Sequence, residues 1–117
     1  MRPCEIDVER SPRFKRELQT FQQKYPQTLN DVADLFGRIA QNPRETAVGR
    51  VQTGNSTQEV YKYYCKSSDL RRGSREAYRI IALYEPDRNL LTPLAMYLKP
   101  EDVAAKEVVE AIKALTS

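Results

Sequence analysis

Apolar and polar positions change their spacing several times along the chain, and each change marks an element. Cys4, Ile6 and Val8 alternate with Glu5, Asp7 and Glu9, which predicts a strand with one buried face. Ser11-Pro12 then supplies an N-cap and a proline for the first helical position, and Phe14, Leu18, Phe21 and Tyr25 follow at helical spacing. This first helix runs to about Lys24, where Pro26 breaks the pattern. Leu29, Val32, Leu35, Phe36 and Ile39 form a second apolar stripe that stops before Asn42-Pro43. Two helices in succession read as an αα-hairpin, with Phe14, Phe21 and Phe36 assigned to packing.

The second half changes to strand spacing. Gly49, Gly54, Asn55 and Ser56 punctuate residues 44–58, which leave room for at most a short strand around positions 48–51. Residues 59–66 then alternate by face, with Tyr61, Tyr63 and Cys65 on one side and Val60, Lys62, Tyr64 and Lys66 on the other. A polar loop over 67–76 leads into residues 78–85, whose run Ile80-Ile81-Ala82-Leu83-Tyr84 predicts a central strand covered on both faces. Pro86-Asp87-Arg88-Asn89 is a turn, and residues 90–98 return as the hairpin partner, with Pro93 either at a bulge or ahead of the main pairing. Lys99-Pro100-Glu101-Asp102 is expected to open a closing helix, because a proline and two acids suit a helix start. The order is strand, two helices, three strands, helix. It predicts an α+β fold: a small antiparallel-rich sheet of about four strands with an N-terminal αα-hairpin and a C-terminal helix.

Length changes this picture little: 117 residues with 40% hydrophobic content suit one domain over 1–117. Chemistry is more restricted. Histidine is absent and Cys4 and Cys65 are the only cysteines, which removes most zinc-site spacings and any histidine acid-base pair. No metal and no cofactor is expected, and the two cysteines are read as reduced, half-buried thiols of a cytoplasmic protein. No window has the apolar length of a membrane span or of a signal-peptide core, so no membrane association is expected.

Charge singles out one stretch. The chain carries a net charge of +3, yet residues 50–79 alone hold seven basic and three acidic side chains. The basic residues are Arg50, Lys62, Lys66, Arg71, Arg72, Arg75 and Arg79. A local basic field of this kind attracts polyanions. Tyr64 stands between Lys62 and Lys66 on one strand surface, where an aromatic ring could stack a splayed RNA base. Tyr61, Tyr63, Tyr78 and Tyr84 are read as sheet packing.

The element order, together with Tyr61-Lys62 on one strand, Tyr78-Arg79-Ile80-Ile81 on the next and Met96-Tyr97-Leu98-Lys99 ending the last, resembles the RelE/ParE superfamily of bacterial toxins. The basic loop Asp69-Leu70-Arg71-Arg72-Gly73 ahead of the Tyr-Arg pair strengthens that likeness. The resemblance implies a toxin neutralised by a cognate antitoxin. In the RelE branch it implies a metal-free endoribonuclease that cuts mRNA on the ribosome. It places Lys62 and Arg79 in catalytic roles, Lys62 in proton transfer or phosphate binding and Arg79 as the clamp on the charged transition state. Tyr64, Lys66, Arg71, Arg72, Arg75 and Lys99 are expected to bind RNA. The chain departs from the RelE pattern at Tyr64, where a second lysine stands, at Pro100, where an arginine is frequent, and in a closing helix without tyrosine. Two alternatives stay open: a ParE-like toxin acting on a protein target such as DNA gyrase, and a family member without catalysis that only binds its antitoxin.

Overall fold

A computed structural model describes residues 2–70, 77–99 and 101–115. The elements of the described residues are β1 (Glu5–Ile6), α1 (Pro12–Lys24), α2 (Thr28–Gln41), β2 (Gly49–Arg50), β3 (Glu59–Cys65), β4 (Tyr78–Glu85), a 3-10 turn (Pro86–Arg88), β5 (Leu90–Leu98) and α3 (Ala105–Ala114). The fold is α+β, with one five-stranded sheet in the order β1-β5-β4-β3-β2. All neighbours are antiparallel except β1 and β5, which run parallel, so the sheet is mixed.

Local chemistry explains where the elements begin and end. The Ser11 hydroxyl accepts from the Phe14 N–H, and Pro12 opens α1, as the serine-proline pair predicts. The first strand is shorter than its alternation suggests. Only Glu5 and Ile6 pair with β5, because the Asp7 carboxylate accepts from the N–H groups of Glu9 and Arg10 and turns the chain toward α1. The strand count rises from about four to five through β2, the short strand for which positions 48–51 left room, and β1 and β2 are two-residue strands at the two edges of the sheet.

β4 is the middle strand, and it is covered on both faces. On one face Ile80 and Ala82 pack with Tyr61, Tyr63, Phe14, Val32, Leu35 and Ile39, so α1 and α2 seal that side. On the other, Ile81 and Leu83 pack with Val60, Leu94, Val108 and Ile112 beneath α3. A strand buried on both sides has no room for alternation, which is why its sequence reads as a continuous apolar run. The irregularity beside Pro93 is a bulge: Ile81 faces Ala95 and Ala82 faces Pro93, leaving Leu94 as the extra residue. Asn89 closes the β4–β5 turn in the left-handed region, at φ 49°, a conformation asparagine tolerates.

The final helix corrects one expectation. It starts at Ala105, several residues after the Pro100-Glu101-Asp102 sequence expected to open it. Asp102 is used instead as a tether: its carboxylate accepts from the Val103 N–H at 2.8 Å and from the Tyr97 hydroxyl at 3.1 Å. The start of α3 is supported by Glu107, whose carboxylate accepts from the Ala104 N–H. Cys4 and Cys65 are both free and buried, more so than expected, and burial pushes the Cys65 thiol up to about 12. Among the described residues, no helix is long and apolar enough to cross a membrane.

Candidate functional site

The period-two pattern of β3 fixes which side chains can meet. Val60, Lys62 and Tyr64 share the α3 face, while Tyr61, Tyr63 and Cys65 point into the opposite core. The α3 helix covers Val60 and leaves the far end of this face partly open, so Lys62, Tyr64 and Arg79 are each half-buried. In the strand register Tyr64 lies opposite Arg79, and Arg79 opposite Tyr97. These three residues form a row across β3, β4 and β5, with Lys62 one step along the strand.

The row is held by specific contacts. The Arg79 guanidinium sits 4.3 Å from the centroid of the Tyr64 ring, a cation-π contact. Lys62 Nζ lies 3.9 Å from Asp102 Oδ1, the same oxygen that accepts from the Tyr97 hydroxyl. Hydrogen bonds from Val103 and Tyr97, with Lys62 and Arg79 nearby, hold the Asp102 carboxyl below its ordinary range. Burial, reinforced by the neighbouring Asp102 charge, pushes the Tyr97 phenol up to about 12. At neutral pH the cluster therefore presents a protonated phenol and an ionised carboxylate beside two cations.

A groove of about 420 Å³ borders this cluster. Tyr97 and Asp102 form one wall, and Arg13, Arg16 and Glu17 of α1 form another. Glu17 is committed to the sheet edge, where it accepts from the Met96 N–H at 3.0 Å, and burial raises its pKa. Glu107 faces the same groove but is paired with Arg13 and the Ala104 N–H.

Of the residues singled out in the sequence, Lys62, Tyr64 and Arg79 come together on one surface. Lys66 lies just beyond the end of β3 and Lys99 just beyond the end of β5, both exposed. Lys99 is positioned by its N–H, which donates to the Ala77 carbonyl at 3.1 Å. Arg71, Arg72 and Arg75 lie outside the described residues, as do Gly73 and Pro100. The chain leading to those arginines is anchored firmly: Ser68 donates from both its N–H and its hydroxyl to the buried Asp31, and the Gln27 N–H donates to Asp69.

Tyr97 and Asp102 are the members of the cluster that sequence reasoning did not place. Alternation along β5 puts Tyr97 on the same face as Arg79, which is a usable signal once the strand pairing is known. Asp102 leaves no such signal, because an acid after a proline fits a helix start equally well. Among the described residues, no three His, Cys, Asp or Glu side chains converge as a metal site requires. No family model, curated protein or solved structure matches the chain.

Proposed function

We propose that the chain is the toxin of a type II toxin-antitoxin pair and that it cleaves mRNA bound to the ribosome, in the manner of the RelE-like proteins it resembles. The row formed by Tyr64, Arg79 and Tyr97, with Lys62 beside it, carries this reading. Phosphodiester cleavage by the neighbouring 2′-hydroxyl needs a proton acceptor, charge stabilisation on the phosphorus oxygens, and a proton donor for the departing 5′-oxygen. A guanidinium fits phosphate oxygens as a fork, and the contact with Tyr64 restricts the Arg79 side chain before substrate arrives. Lys62 supplies a second cation within the same surface, and Tyr64 offers a stacking platform at its edge. Lys66, Lys99 and the arginines of the preceding loop would extend the contact along the RNA backbone.

A cognate antitoxin is the natural protein partner, because an acidic, partly disordered segment would neutralise this basic surface. The gyrase-directed alternative draws on one residue, Tyr64, which stands where RelE-like proteins carry a second lysine. Incubating the purified protein with programmed ribosomes, and separately with gyrase in a supercoiling assay, tests both. Cleavage of ribosome-bound mRNA that is lost in Arg79→Ala is the expected result. Gyrase inhibition without cleavage would favour the alternative.

A further inference from the structure

Among the described residues, four carboxylates line the groove beside the cluster, Glu17, Glu101, Asp102 and Glu107, and of these Asp102 is the one that reaches Lys62. Lys62 and Arg79 bring the donor groups of the cluster, an ammonium and a guanidinium fork suited to phosphate oxygens. Tyr97 is held in its phenol form by burial and by its bond to Asp102. Glu17 and Glu107, which line the adjoining groove, are engaged by Met96 and by Ala104 and Arg13. Asp102 also accepts hydrogen bonds, from Val103 and Tyr97, but its side chain is 75% exposed, it stays ionised, and it lines the groove 3.9 Å from Lys62.

We infer that Asp102 is the general base of this site, removing the proton from the RNA 2′-hydroxyl, and that the Lys62 ammonium beside it protonates the departing 5′-oxygen. This assignment rests on the ribonuclease reading given above. The 2′-oxygen gives its proton to the Asp102 carboxylate and forms a bond to phosphorus, the bond from phosphorus to the 5′-oxygen breaks, and that oxygen takes a proton from Lys62. The products are a 2′,3′-cyclic phosphate and a 5′-hydroxyl. The 3.9 Å separation of the two groups lets the proton gained by Asp102 return to Lys62 through water, which resets the site. Tyr97 then acts as a positioning residue, since its hydroxyl fixes the carboxylate at the end of the Arg79 row.

The charged groups around Asp102 are Lys62 from β3, Arg79 from β4, Arg13, Arg16 and Glu17 from α1, the adjacent Glu101 and Glu107 from α3, and the neutral Tyr97 phenol faces it from β5. Their net field is positive, which keeps the carboxylate ionised to low pH. The test compares wild type, Asp102→Asn and Asp102→Glu. It measures single-turnover cleavage of ribosome-bound mRNA as a function of pH, and binding of the same message carrying a 2′-deoxynucleotide at the cut site. Asp102→Asn is expected to slow cleavage by about 100-fold or more with binding equal to wild type or tighter, and to abolish the fall in rate at acid pH. Asp102→Glu is expected to recover part of the rate. An Asn variant that cleaves within about threefold of wild type, or that loses cleavage only in step with binding, overturns the assignment. Absence of cleavage by wild type itself overturns the ribonuclease reading, and this inference with it.

Discussion

The Arg79 guanidinium lies 4.3 Å from the centre of the Tyr64 ring, its directly opposed residue in the β3–β4 ladder. Such a contact is worth about 0.5–1 kcal/mol at a partly exposed site, enough to restrict the side chain without burying it. The consequence is an arginine packed on the sheet surface, in register with Tyr64 on one side and Tyr97 on the other.

Replacing that fork should therefore be costly in either direction. Arg79→Ala is expected to lower the single-turnover cleavage rate by about 100- to 1,000-fold, the scale seen when one charge-stabilising donor is lost. Arg79→Lys should recover little, because an ammonium neither forks to two phosphate oxygens nor stacks flat on Tyr64. Quench-flow measurement of ribosome-bound mRNA cleavage distinguishes these variants.

Tyr64 should matter through its ring more than its hydroxyl. Tyr64→Phe keeps both the stack on Arg79 and a surface for a base, so binding of a non-cleavable RNA should stay near wild type. Tyr64→Ala removes both and should weaken binding by about 1–3 kcal/mol. Fluorescence anisotropy with a labelled oligonucleotide reads the difference.

Much of this architecture is legible in the sequence because burial imposes period. The stripes over α1 and α2, the alternation of β3 and the continuous apolar run of β4 each follow from what a neighbouring layer must cover, and those elements appear where the pattern puts them. The α3 face of β3 was legible for the same reason, so Lys62 and Tyr64 could be paired in advance. What could not be read depends on contacts between distant segments. Asp102 is forty residues from Lys62, and its bond with Tyr97 delays the start of α3 in a way no local rule anticipates. The brevity of β1 has a local cause, the Asp7 turn, which competes with an alternation that otherwise looks complete.

A buried hydroxyl pair between α2 and β4 gives a stability prediction. The Thr28 hydroxyl lies 2.8 Å from the Tyr78 hydroxyl in a fully buried contact between α2 and the central strand. Thr28→Val keeps the shape but leaves the Tyr78 hydroxyl short of this partner, and should cost about 1–3 kcal/mol. Urea unfolding should show a lower midpoint with unchanged slope.

Acid sensitivity should trace in part to Glu59. Its carboxylate accepts two hydrogen bonds from Arg44, at 2.7 and 2.8 Å, and one from Tyr61, which hold its pKa near about 2. A carboxyl whose folded pKa is depressed contributes stability above its unfolded value, and that contribution is lost as pH falls through the folded value. The Glu59 contribution should accordingly be intact above about pH 4.5 and disappear toward about pH 2. Glu59→Gln should lower stability at pH 7 and flatten this part of the pH profile, measured by urea midpoints across the acid range.

The most direct test of the account is the chemistry of the RNA ends left on ribosome-bound mRNA by the wild-type protein and by Arg79→Ala. Attack by the 2′-hydroxyl predicts a 2′,3′-cyclic phosphate and a 5′-hydroxyl at each wild-type cut, with both ends missing in the Arg79→Ala reaction. Intact mRNA with wild type, or cuts bearing a 5′-phosphate, would contradict it.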